Sequence, residues 1–367
     1  MGWRRVVRAS LLATTLLLAA VGCGAGGGDD NSSGGGTDRT AEAGDLIGVS
    51  LPTTVSARWI TDGENLGYQF ERLGYTTDVQ FAEDDPKRQI AQIQQMIDSG
   101  ARALVISAVN STALNDVLAK AAAAKIKVIA YDRLLLNTAD VDYYATFDNR
   151  RVGVLQATYL VEQLGLDSGG GTANIELFAG SADDNNAKLF FDGSMSVLKP
   201  YIDSGRVVVR SGQTSFSQVV TKAWNGDLAA RRMTDILEEH YDGSEKLDGV
   251  LAPYDGITRG VLRAVQTAGV EMPVITGQDA EIDSVKLIAA GKQGQTVFKD
   301  TRKLAEVAAK MTNAALTGGK PEINDTSQYD NGVKVVPTFL LQPVTVVKSN
   351  YEDILVKSGY YSAAQLS

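Results

Sequence analysis

From Asp45 onward the chain alternates short apolar strands with amphipathic stretches, and that rhythm constrains the fold more than any other feature. DLIGVSLP (45–52), TTDVQFAE (76–83), ARALVISAV (101–109), KVIAYD (127–132) and YYATFDN (143–149) read as strands. Several are nearly continuous runs rich in Val and Ile, as in a parallel sheet covered on both faces. The segments between them read as helices. Asp85-Pro86 opens one, with Asp as N-cap and Pro at the first helical position. Ile90, Ile93 and Ile97 then share a face, and Ser99-Gly100 closes the helix. STALNDV (111–117) opens the next. A second series follows: NIELFAG (174–180), RVVVRSG (206–212), DGVLAPYD (248–255), PVITGQD (273–279) and GQTVFKD (294–300). Two successive βα series predict an α/β protein of two Rossmann-like, doubly wound lobes. A body of about 320 residues is large enough for both.

In such sheets ligands bind beyond the carboxyl ends of the strands. The residues at those ends are rich in carboxylates, amides and cations: Asp132-Arg133, Asp148-Asn149, Asp184-Asn185-Asn186, Tyr254-Asp255, Gln278-Asp279 and Lys299-Asp300. The first strand leads into Arg58-Trp59 at the head of a helix. Carboxylates accept from hydroxyls, Arg and Lys donate, and amides do both. Indole rings cover apolar C–H faces. The set suits a sugar better than a phosphate or a peptide. Asp and Asn at strand ends also serve as turn and N-cap residues, and Asp84, Asp85 and Asp183 are assigned that role. Trp224 fits either stacking or a place in the core. His240 reads as a surface or capping residue. The Gly169-Gly170-Gly171 run precedes a strand instead of following one, so it reads as a turn and not as a dinucleotide loop.

The net charge is −9, and beyond the N-terminal segment no run of Lys or Arg exceeds a pair, which excludes a phosphate-contacting nucleic-acid face. Cys23 is the sole cysteine and His240 the sole histidine, which leaves no disulfide and gives a zinc site or a His-based triad little to work with. No metal or cofactor is expected.

The N-terminus has its own message. Arg4, Arg5 and Arg8 precede an apolar run, Leu11 to Val21, that ends at Gly22-Cys23. This reads as an export signal, and it falls short of the ~20 residues of a membrane span. Ala20-Val21-Gly22-Cys23 resembles a bacterial lipobox, with Ala20 where the pattern prefers Leu. The expectation is removal of residues 1–22, lipidation of Cys23 and an extracytoplasmic protein anchored to the membrane. The alternative is an ordinary cleaved signal with an incidental Cys. Residues 23–44, including GGGDDNSSGGG, read as a flexible tether.

The chain resembles the ribose/galactose/xylose-type periplasmic sugar-binding proteins, nearest to their multiple-sugar and xylose-binding members. The resemblance runs from Ile47 to the C-terminus and rests on SARWITDG, VIAYDRL, YYATFDN, DDNNAKLF, MSVLKPYIDSG, GQDAE, FKDTR and NGVKVVP. It implies the type I fold, with two lobes joined by three hinge crossings. Residues 45–148 with 300–334 would form one lobe, and 149–299 with 335–367 the other. It also implies a monomeric receptor, not an enzyme, that closes on an aldose such as xylose, glucose, galactose or arabinose and delivers it to an ABC permease. By this resemblance the sugar contacts are Arg58, Asp132, Arg133, Asp184, Asn186, Trp224, Asp279 and Lys299. Many relatives carry Asn-Asp at Tyr254-Asp255, so either Tyr254 or Asp255 reaches the sugar. Trp59 either stacks or joins the core. A sugar-responsive repressor would need a helix-turn-helix headpiece, which residues 1–44 do not resemble. A sugar-acting enzyme would use Asp255 and Asp279 as its paired carboxylates. A third alternative is a sensor that presents sugar to a signalling partner.

Overall fold

The apolar runs become strands with both faces covered, and the side chains alternate between two cores. In strand Ala103–Ile106, Leu104 and Ile106 point into one cluster and Ala103 and Val105 into the other, all fully buried. A computed structural model describes residues 44–169, 171–241, 243 and 245–367. The signal, Cys23 and nearly all of the expected tether lie outside the described residues, as does Gly170.

The first sheet gathers β1 (Leu46–Leu51), α1 (Ala57–Arg72), β2 (Thr76–Phe81), α2 (Pro86–Asp98), β3 (Ala103–Ile106), α3 (Asn115–Ala123), β4 (Lys127–Tyr131) and β5 (Tyr143–Phe147). Asp85 caps α2 by accepting from Lys87 N at 2.8 Å. Ile93 is fully buried, and Ile90 and Ile97 pack beside it. The chain then crosses at Asp148, the N-cap of α4 (Asn149–Gln163). The second half comprises β6 (Ala173–Leu177), α5 (Asn185–Asp203), β7 (Val207–Val208), α6 (Phe216–Val219), α7 (Gly226–His240), β8 (Gly249–Leu251), α8 (Asp255–Ala268), β9 (Val274–Ile275), α9 (Ile282–Ala289) and β10 (Gln295–Phe298). His240 is the last residue of α7, in whose final turn it is the basic residue, and Tyr241 is the C-cap. The run at 206–212 yields only a two-residue strand.

A second crossing at Lys299-Asp300 returns the chain to α10 (Thr301–Leu316), which packs on α1, β4 and β5. β11 (Thr338–Leu341) then pairs parallel with β5, and β12 (Val344–Val347) pairs antiparallel with β10. These two strands stand beyond the ten that the sequence rhythm marks, and Gln342-Pro343 between them is the third crossing. The expected boundary at 334/335 is therefore corrected. β11 completes the first sheet, in the order β11-β5-β4-β3-β1-β2, and the chain changes lobe only after Leu341. The second sheet runs β7-β6-β8-β9, and a parallel bridge from Gln278 to Val297 links it to the β10-β12 pair. The short last helix, α11 (Ala363–Leu366), packs on α9. No helix among the described residues is long and apolar enough to cross a membrane.

Candidate functional site

The carboxyl ends of the two sheets face each other across a cavity of about 340 Å³. That is the small end of the ~300–1,000 Å³ range of ligand clefts. Of the expected sugar contacts only Asp255 does not line it; of the other polar strand-end residues, Gln278 lines it, whereas Asp148, Asn149, Asn185 and Asp300 do not.

Arg58 organises the first-lobe wall. It lies in the opening turn of α1 and is buried. Its Nε donates to Asp62 one helical turn on (3.0 Å), and its terminal nitrogens donate to Asp132 (2.5 Å) and to Asp279 of the other lobe (3.4 Å). Burial pulls the Arg58 guanidinium down, but the charges of Asp132, Asp279 and Asp62 outweigh it and hold its pKa well above the ordinary arginine value. Asp132 is the mirror case. Burial opposes its charge, yet Arg58 and Lys299 prevail and lower its pKa to about 2. For Asp62, burial prevails over Arg58 and the Tyr131 hydroxyl and raises the pKa to about 6.

Asp132 takes a left-handed backbone conformation, φ 60°. Its carbonyl accepts from Tyr144 Oη, Thr146 Oγ1 and Asn186 Nδ2, which fixes this strained residue from both lobes. Trp59 packs in the core cluster of the first lobe and also lines the cavity. The guanidiniums of Arg58 and Arg133 lie 4.5 and 5.3 Å from its ring centroid.

The second lobe answers with acids. Asp184 caps α5, accepting from Asn186 N at 2.9 Å, and pairs with Arg133 of the first lobe at 2.8 Å. Burial raises its pKa despite Arg133. Asp279 directs one oxygen to both Arg58 and Lys299 (3.0 Å), and Lys299 sits at the second crossing, 3.9 Å from Asp132. Trp224 meets Phe190 and Tyr254 edge to face, at centroid distances of 6.2 and 6.1 Å. Its ring lies against Gly180, where an added Cβ would stand 2.0 Å from a ring carbon.

Asp255 is corrected. It is fully buried beneath the cavity wall and accepts from Glu281 N, Gln293 Nε2 and Thr296 Oγ1. Burial and the Glu281 charge push its pKa well up. Its neighbour Tyr254 is the one that reaches the cavity, so Asp255 and Asp279 do not form a pair of catalytic carboxylates across it. Asp62, Phe190 and Asp84 escaped the sequence reading, the last left there as a loop residue, and Gln278 was noted only as a strand-end residue. Asp84, Phe190 and Gln278 line the cavity. Asp62 follows Arg58 by four residues and Phe190 follows Asn186 by four, so helical spacing was the available signal.

Two doubly wound lobes, three crossings and a charged cleft between strand ends define a two-lobed binding protein for a small polar solute. A model of the periplasmic binding protein domain matches residues 47–320. Over 325 residues the chain is 53% identical to the multiple sugar-binding periplasmic receptor ChvE of Rhizobium radiobacter, covering 87% of this chain and 92% of that protein. It is 37% identical to the D-xylose-binding periplasmic protein of Escherichia coli, over 87% of this chain and 92% of that one. An ABC transporter solute-binding protein from Clostridium phytofermentans, solved with bound β-D-glucose, superimposes with a TM-score of 0.86 at 44% identity, covering 88% of this chain and all of that one. The chain belongs to the type I periplasmic sugar-binding protein family.

Proposed function

We propose that this protein is an extracytoplasmic receptor that closes its two lobes around one neutral aldose of the glucose and xylose class and presents the closed form to an ABC permease. Its site residues bind and do not catalyse. The observation that carries this reading is the pairing of charges across the cleft: Arg58 with Asp279, and Arg133 with Asp184. Every cation in the deep cavity already has a carboxylate, so no surplus positive charge is offered to a phosphate or a sugar acid. Ionised groups held in place can instead donate to and accept from hydroxyls, each such bond contributing about 1.5–3 kcal/mol. Trp224 supplies the apolar surface for a C–H face. The similarity to ChvE and to the glucose-bound neighbour supports the same ligand class.

A ligand shifts the lobes toward closure only by its differential affinity for the closed form. Here the sugar would be bound by both lobes at once, through Arg58, Asp132 and Arg133 on one side and Asp184, Asn186, Trp224, Tyr254 and Asp279 on the other, with Lys299 between. The receptor acts as a monomer, with removal of residues 1–22 and lipid on Cys23 as its anchor. Thermal-shift and calorimetric titrations of the full chain with an aldose panel test the ligand. A raised melting temperature and a change in tryptophan fluorescence are expected, and no response to any aldose would sink the reading. Hydrolysis of aldose glycosides would overturn the non-enzymatic role. Cys23→Ser should release the protein from the membrane.

A further inference from the structure

At the rim of the cavity stands a second contact between the lobes: Ser56 belongs to the lining, but its hydroxyl is turned to Glu281 behind the wall. Ser56, at the head of α1, donates its hydroxyl to Glu281 Oε1 of the second lobe at 2.9 Å. The same oxygen accepts from Tyr254 Oη (2.7 Å), and Arg259 pairs with the other oxygen at 2.6 Å. Glu281 is thus held within its own lobe and offers Ser56 a fixed, charged acceptor. Ser56 is the N-cap residue of α1, yet its side chain makes no capping bond to its own helix. The hydroxyl that would ordinarily cap the helix is turned across the cleft. The turn before Glu281 is strained as well: Asp279 and Ala280 both have positive φ, 88° and 49°. Strain of this kind persists only where neighbours over-determine it. Here they are the bonds from Ala280 N to Thr296, from Glu281 N to Asp255 and from Tyr361 Oη to the Ala280 carbonyl. One turn therefore aims Asp279 at Arg58 and Glu281 at Ser56.

We infer that Ser56 and Glu281 form a sugar-independent clasp that sets affinity without setting selectivity. Ser56 has two positions. In the open form its hydroxyl caps α1, and in the closed form it binds Glu281. The clasp favours the closed form whatever aldose lies within, so it scales all affinities by one factor.

This inference rests on the sugar-receptor reading, and its test separates the two. Wild-type protein that binds no aldose would refute that reading; the clasp is judged from variants measured against binding wild type. Ser56→Ala in the full chain, titrated by calorimetry with glucose, xylose, galactose and arabinose, should weaken each by the same factor, about tenfold for a hydrogen bond to a charged group. Ser56→Asp caps α1 well but faces Glu281 with like charge, so it should weaken binding further, by about 100-fold. The sugar-free melting temperature of Ser56→Asp should not fall, which distinguishes an opened receptor from a damaged one. Combining Ser56→Ala with Glu281→Gln should add little to either single change. Loss confined to some sugars, or wild-type affinity in Ser56→Asp, would overturn the clasp.

Discussion

The two lobes share one strand order and differ in what they bring to the cleft. β2-β1-β3-β4-β5 recurs as β7-β6-β8-β9-β10, each series completed by a late strand, β11 parallel in one and β12 antiparallel in the other. The first lobe offers the cations Arg58 and Arg133. The second offers the acids Asp184 and Asp279. Arg58 keeps Asp62 and Asp132 within its own lobe, whereas Asp279 reaches its partners only through Arg58 and the crossing residue Lys299. The acids around Arg58 are thus held largely within one lobe, whereas Asp279 draws on a cation of the other. The backbone does not follow this division: Arg58 projects from a regular helix, but positive-φ residues line the cavity from both lobes, Asp84 and Asp132 in the first and Trp224 and Asp279 in the second.

The largest expected effect comes from cutting that cross-lobe pairing. Asp279→Ala leaves two buried cations short of a partner, a loss of about 3–5 kcal/mol where no sugar group replaces it. Calorimetry should record aldose affinity reduced by at least about 100-fold, a loss of more than ~2.7 kcal/mol, with the circular dichroism spectrum retained. Unchanged affinity would remove Asp279 from the site.

Gly180→Ala tests the second lobe's turn-borne tryptophan. The added Cβ displaces the Trp224 ring, and overpacking of this kind costs ~1–3 kcal/mol. Urea unfolding should register the cost, and the sugar-dependent fluorescence change should shrink. A full signal would mean that the ring can shift without loss.

The pH dependence probes the first lobe. Asp132, with its pKa lowered to about 2, contributes stability that is complete above its unfolded value near 3.8 and is lost as the pH falls through about 2. Asp62, raised to about 6, behaves oppositely: its contribution is complete below about 3.8 and is lost as the pH rises through about 6. Urea unfolding of the wild type should therefore show a decline between pH 4 and 6, and Asp62→Asn should lack it. A parallel profile would place that decline elsewhere. The smallest effect belongs to the exposed pair Lys199–Asp203 on α5. Lys199→Ala should change stability by less than ~0.5 kcal/mol and affinity not at all.

Much of the fold was legible because burial on both faces writes itself into a strand as an unbroken apolar run. β1, β3 and β4 carry that pattern and lie where the sequence placed them. β11 and β12 were not read as strands: β11 is completed by β5, far earlier in the chain, and β12 by β10, so neither continues the strand–helix rhythm. The lobe boundary was set too early for the same reason.

Composition and motif spacing determined by themselves a two-lobed α/β chain with charged strand ends suited to hydroxyls, because hydrophobic periodicity and side-chain chemistry are local properties. Tertiary structure decided which charges meet. Tyr254 and Asp255 are adjacent in sequence, yet successive side chains leave the backbone in different directions. The first reaches the cavity, and the second is buried beneath it to hold the turn of Asp279 and Glu281. Glu281 stands in the GQDAE motif, but nothing local pointed to its role, since its partner Ser56 lies 225 residues away and meets it only where the lobes come together.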